Sequence, residues 1–180
     1  MKAFLTALLF TAGPLLATPD PQPKPTPTLK SILLEQFKTT HNDQDWFVPA
    51  SKAVEGMTAE QAAWKDGNAN HSIAQLVSHL IFWNQEQLAR LQGRTPPAYS
   101  GKNDDTFNLN LDKGTWESMV KQLDAILTDW EKAIEGADEK TLASWASTIA
   151  HVSTHNAYHT GQILYIRKQQ GSWNPEKGVK

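Results

Sequence analysis

A chain of 180 residues with 39% hydrophobic side chains is long enough for one domain with a core of its own. It has no cysteine, which excludes disulfides, thiolate metal sites and cysteine nucleophiles, so any metal must be held by His, Asp, Glu or water. A formal net charge of −2 lacks the basic excess of nucleic-acid-binding domains, and no nucleic-acid partner is expected.

Residues 1–17 read as a signal peptide. Met1-Lys2 is a short basic start, and Ala3 to Ala12 is an apolar run too short to span a bilayer as a mature helix. Cleavage after Ala17 would give a periplasmic or secreted protein with no stable membrane span. Residues 18–28 are a Pro-rich linker with proline at every second position from Pro19 to Pro27. Proline lacks an amide donor and fixes φ, so this stretch is expected to be an extended polyproline II spacer.

The folded domain is expected over residues 29–175. Leu29 to Thr40 carries Leu29, Ile32, Leu33 and Phe37 on one helical face. Trp46-Phe47 begins a short second segment, and Thr58 with Gln61 has the form of a capping box. After a loop from Trp64, a helix should start near Asn70 and stop before Gly93, burying Ile73, Leu76, Leu80 and Leu88. Arg94 to Gly114 reads as a long loop. Thr115 is the expected cap of a third helix, whose stripe runs from Trp116 through Trp130 to Ile134 and ends at Gly136. Asp138 caps a fourth helical region, with a break expected near Ser144 and an end at Gly171. No stretch alternates like a strand. The fold class is therefore all-α: a four-helix bundle with a long crossover loop.

The fourth helix carries an anomaly. Val152, His155, His159, Ile163 and Ile166 follow one another at three- and four-residue steps, so two imidazoles occupy a stripe that should be apolar. Burying an unpaired polar ring costs about 1–3 kcal/mol. His79 lies at the edge of the second helix's apolar face, between Leu76 and Trp83. Two explanations stay open at this level: hydrogen-bonded core histidines, or a shared metal ion. His151 is one turn before His155 and two turns before His159, too far along the axis for one ion to take all three. It is expected to be a pocket residue. His71 is expected to be exposed or a local donor, and His41 to be exposed in a polar loop. Gln162, Asn84 and Glu86 are candidates to orient ligand histidines through their second ring nitrogens. Tyr158, Trp83 and the Arg94–Gly114 loop are candidates to shape a pocket.

The segment from His151 through His155-Asn-Ala-Tyr-His159 to Ile163, ending in Tyr165-Ile-Arg167, resembles the C-terminal motif of the DinB-like family of four-helix metalloproteins. Trp64 to Leu80, with His79 after Leu-Val-Ser, is similar to that family's first ligand helix. The resemblance implies an up-down-down-up bundle. It implies a divalent metal, zinc or nickel, on His79, His155 and His159, and often a homodimer. Some members transfer thiols or isomerise substrates with them; others have no known activity. The expected function is a metal-dependent hydrolase or thiol transferase of unknown substrate. The alternatives are a non-catalytic metal- or ligand-binding bundle, or an ion that only staples two helices.

Overall fold

The computed structural model describes residues 26–67, 70–109 and 111–178. The expected signal peptide, residues 1–17, and all but the last residues of the expected linker lie outside them. The elements are α1 (Leu29–His41), α2 (Ala50–Val54), α3 (Ala59–Ala63), α4 (Ile73–Leu91), α5 (Lys113–Gly136) and α6 (Glu139–Gln169), with no strand among the described residues. Four long helices, α1, α4, α5 and α6, form the bundle. Helices α1 and α4 each pack against both α5 and α6, and the short α2 and α3 close one side. No helix among the described residues is long and apolar enough to cross a membrane.

Local chemistry sets the helix ends. Thr28, Thr58 and Ser72 each make a reciprocal capping box with the residue three positions on. Thus α4 is capped by Ser72, not Asn70, because Gln75 returns its side chain to the Ser72 amide at 3.0 Å. Helix α5 is capped by Asp112 rather than Thr115: the carboxylate accepts the Thr115 amide at 2.7 Å. Asp138 does the same for α6 through Thr141. Helices α4 and α6 stop at Gly93 and Gly171, whose φ values of +66° and +70° are in the left-handed region. No break occurs at Ser144, whose hydroxyl donates to the Thr141 carbonyl within an unbroken helix.

The apolar stripes of α4 and α5 are buried as expected. In α1 the buried line is Leu33, Phe37 and Thr40, whereas Leu29 and Ile32 are 43% and 47% exposed. Ile32 lies about 100° round the helix from Leu33, off the face that meets α5 and α6. Trp130 is fully buried, stacked on Phe37 with centroids 5.4 Å apart, and its indole N–H donates to the Asn84 carbonyl at 3.1 Å. Trp46, by contrast, is 92% exposed.

Several buried polar side chains join separate elements of the bundle. His41, expected to be exposed, is 1% exposed at the end of α1. Its Nδ1 lies 2.5 Å from Glu131 and its Nε2 3.0 Å from Asp124, both on α5. Arg167 is buried near the end of α6 and donates to the carbonyls of Ala53 (2.8 Å), Glu55 (3.2 Å) and Ser172 (2.8 Å), tying α2 and the C-terminal segment to the bundle. Between α4 and α6, Asn84 donates to Asn156 at 2.7 Å and accepts in return at 3.3 Å, with both residues at most 1% exposed.

That amide pair is a direct test of the seam between α4 and α6. Asn84→Leu strands the Asn156 amide and should cost about 1–3 kcal/mol in urea unfolding. The double variant Asn84→Leu/Asn156→Leu should recover most of this, because it removes both polar groups together.

Candidate metal centre

Helices α4 and α6 bring His79, His155 and His159 together. One nitrogen of each lies within 4.8 Å of the others, close enough to hold one ion. The Nε2 of His155 is central, 3.1 Å from His79 Nε2 and 3.0 Å from His159 Nε2. His79 and His159 are 3% and 7% exposed, and His155 is half-buried.

The partners on the far side of the rings decide where the lone pairs point. Thr106 donates its hydroxyl to the Asn103 carbonyl at 2.6 Å. Its oxygen is then left to accept from His79 Nδ1–H, also at 2.6 Å. Gln162 Oε1 accepts from His159 Nδ1–H at 2.6 Å. Both rings therefore carry their proton on Nδ1 and turn an unprotonated Nε2 inward. His155 has one Nε2 position and can give a proton to only one of these two acceptors. A cation bound by all three satisfies every lone pair at once.

The spacing agrees with that. Two metal–nitrogen bonds of about 2.0–2.1 Å at tetrahedral or octahedral angles put their nitrogens about 2.9–3.4 Å apart. Electrostatics agree too. Burial first, then the neighbouring imidazoles, hold His79 down at about 3, and burial and His159 hold His155 at about 4. Burial lowers His159 as well, partly offset by the Gln162 hydrogen bond. All three are neutral at physiological pH, the state a metal requires. The donor set thus fits a divalent ion.

The crossover loop completes the surroundings. Its 3-10 turn, Asn103–Phe107, lies on α4 and places the Phe107 ring parallel to His79 at 4.1 Å. The exposed His71 stacks on the same ring at 3.8 Å. A cavity of about 560 Å³ opens beside the three histidines, walled by Trp83, Phe107, Asn103 and Gln87, with His151 at an exposed position on its wall. His151 is therefore a pocket residue. Tyr158 does not line this cavity. It packs edge-on to His159 at 4.9 Å and faces a second cavity of about 470 Å³ with Gln162.

Of the three residues expected to orient ligands, only Gln162 does so. Asn84 is committed to Asn156, and Glu86 is buried against Arg90 and Gln87. Thr106 was not foreseen. It is 27 residues from His79 in a loop, and no periodic signal marks it.

The family model of the DinB superfamily matches residues 50–163, a span that includes all three histidines. This chain belongs to the DinB superfamily. No curated protein and no solved structure matches the chain significantly. The family assignment agrees with the helical bundle and with a histidine cluster able to hold a metal.

Two outcomes follow for the DinB centre. Folding depresses the histidine pKa values below the ordinary 6.5, so between that value and about 4 the unfolded chain binds more protons than the folded one. Stability of EDTA-treated protein should therefore fall as pH drops through this window. Urea midpoints should fall less steeply for His155→Ala/His159→Ala. Separately, Thr106→Val and Gln162→Leu each remove an acceptor that orients a ring, and competition with a chelator should show metal affinity about 10–100-fold weaker.

Proposed function

We propose that this protein is a metal-dependent enzyme of the DinB kind, a hydrolase or thiol transferase, with one divalent ion, zinc or nickel, on His79, His155 and His159. The observation that carries the reading is the convergence of three neutral Nε2 atoms beside an open cavity of about 560 Å³. A structural zinc usually fills its fourth position with a protein ligand, and no Asp, Glu or further His joins this cluster among the described residues. Three protein ligands facing a cavity leave room for water or substrate.

When bound, such an ion supplies Lewis acidity and lowers the pKa of a water or thiol beside it. The chain's own residues do the rest. Thr106 and Gln162 keep the Nδ1 protons of His79 and His159 pointed away from the centre. Phe107 covers one face of His79 and excludes water from it. Trp83, Gln87 and Asn103 shape the space where a substrate would lie. His151 adds an imidazole to the wall of that space. We further propose that residues 1–17 direct export, on the basic start and short apolar run, so the enzyme would act in the periplasm or outside the cell.

Metal content by mass spectrometry, on protein purified without added metal, tests the centre. About one divalent ion per chain is expected, and His155→Ala/His159→Ala should lose it. A variant that loses both metal and helical content would assign the ion to stapling α4 to α6. A variant that keeps its fold but loses turnover of esters, amides or thiol acceptors supports the enzyme. Absence of metal from both proteins, even after reconstitution with zinc, nickel and manganese, would sink the reading.

A further inference from the structure

The cavity beside the histidines has an unusual lining: among the described residues, none that lines it is Lys, Arg, Asp or Glu. Charged side chains are close by in sequence. Lys102, Asp104 and Asp105 flank or share the turn that contributes Asn103, yet none of them lines the space. The walls are instead aromatic, with Trp83 and Phe107, and beside the imidazoles the polar lining is amide and hydroxyl, from Gln87, Asn103 and Thr148. A ligand carrying several charges needs fixed opposite charges to replace its lost hydration, and the described lining offers no carboxylate, ammonium or guanidinium for that.

The neutral groups have defined roles left over. Asn103 spends its Oδ1 on the Trp83 indole N–H at 3.3 Å, which leaves its Nδ2 to donate. Gln87 spends its Nε2 on Glu86 at 2.5 Å, which leaves its Oε1 to accept. One donor and one acceptor among the residues lining one cavity complement a group that both accepts and donates. A carboxamide is such a group. The cavity volume, about 560 Å³, is in the range of small-molecule sites and admits an aromatic body against Trp83 and Phe107.

We propose that this cavity binds an uncharged or singly charged small molecule with an aromatic or bulky apolar body and an amide-type donor–acceptor pair. The pair is read by Asn103 and Gln87. This deepens the enzyme reading and, within it, favours hydrolysis of an acyl or amide compound over transfer of a multiply charged peptide thiol. A single carboxylate is accommodated only at the three-imidazole centre, where a bound ion would meet it.

Ligand-observed NMR and calorimetry on the full chain, zinc-loaded and EDTA-stripped, test this with four probes: naphthamide, naphthoate, naphthalenetrisulfonate and glutathione. Naphthamide should bind both forms. To the EDTA-stripped form, the trisulfonate and glutathione, which carries two carboxylates and an ammonium, should bind at least about tenfold more weakly than naphthamide. Gln87→Leu and Asn103→Leu, at rim positions away from the core, should each weaken naphthamide about tenfold. Naphthoate should gain affinity with zinc. Naphthamide binding with naphthoate indifferent to zinc would leave this inference standing while the metal reading fails. Failure of naphthamide to bind either form, or tighter binding of the charged probes to the stripped form, would overturn the inference.

Discussion

The seam between α4 and α6 is polar at its centre, and the rest of the bundle is arranged around satisfying it. Two helices that each bury His and Asn side chains cannot stand alone, because every unpaired group costs about 1–3 kcal/mol. Docked together, they satisfy one another. Asn84 meets Asn156, and His79 meets His155 within hydrogen-bond distance. These contacts allow only one register between the helices. A shift of one residue would turn the imidazoles off the seam and separate the amides at the same time. An apolar seam of Leu and Ile tolerates sliding far better, since hydrophobic contact has no direction.

The other faces of the bundle supply the stability that such a seam lacks. Trp130 stacks on Phe37 and uses its indole N–H to hold the backbone of Asn84, the residue that itself pairs with Asn156. The aromatic contact between α1 and α5 is thereby connected to the polar contact between α4 and α6. His41 closes the far end of α1 onto Glu131 and Asp124 of α5. The crossover loop is part of the same arrangement. By laying Thr106 and Phe107 on His79, it fixes one ligand ring and walls one side of the cavity.

Chemistry at the site follows from this packing. A histidine in water is free to place its proton on either nitrogen. Here Thr106 and Gln162 fix the tautomer of two rings, and burial keeps all three neutral. The result is a concentrated set of lone pairs beside a partly aromatic cavity that no Lys, Arg, Asp or Glu among the described residues lines. Such a setting raises the electrostatic weight of any cation at the centre, because nearby side-chain charges do not compete with it.

The sequence by itself determined the helices and pointed to the centre. Periodicity located all four long elements, the capping residues Thr58 and Asp138 and the stops at Gly93 and Gly171, because these depend on contacts within a few residues. His155 and His159 were legible for the same reason: four residues apart on an apolar stripe is a local anomaly. Gln162, three residues from His159, was within reach of that argument. The tertiary structure decided everything that joins distant segments. Thr106 is 27 residues from His79, Asn156 is 72 from Asn84, and Glu131 is 90 from His41. Each of these side chains looks like an ordinary polar residue on its own helix or loop. Burial of His41 and Arg167 was hidden likewise, since a polar side chain is tolerated inside only when partners arrive from elsewhere in the chain. Hydrogen bonds that close loops of this length leave no periodic trace, and only the packed bundle brings their two ends together.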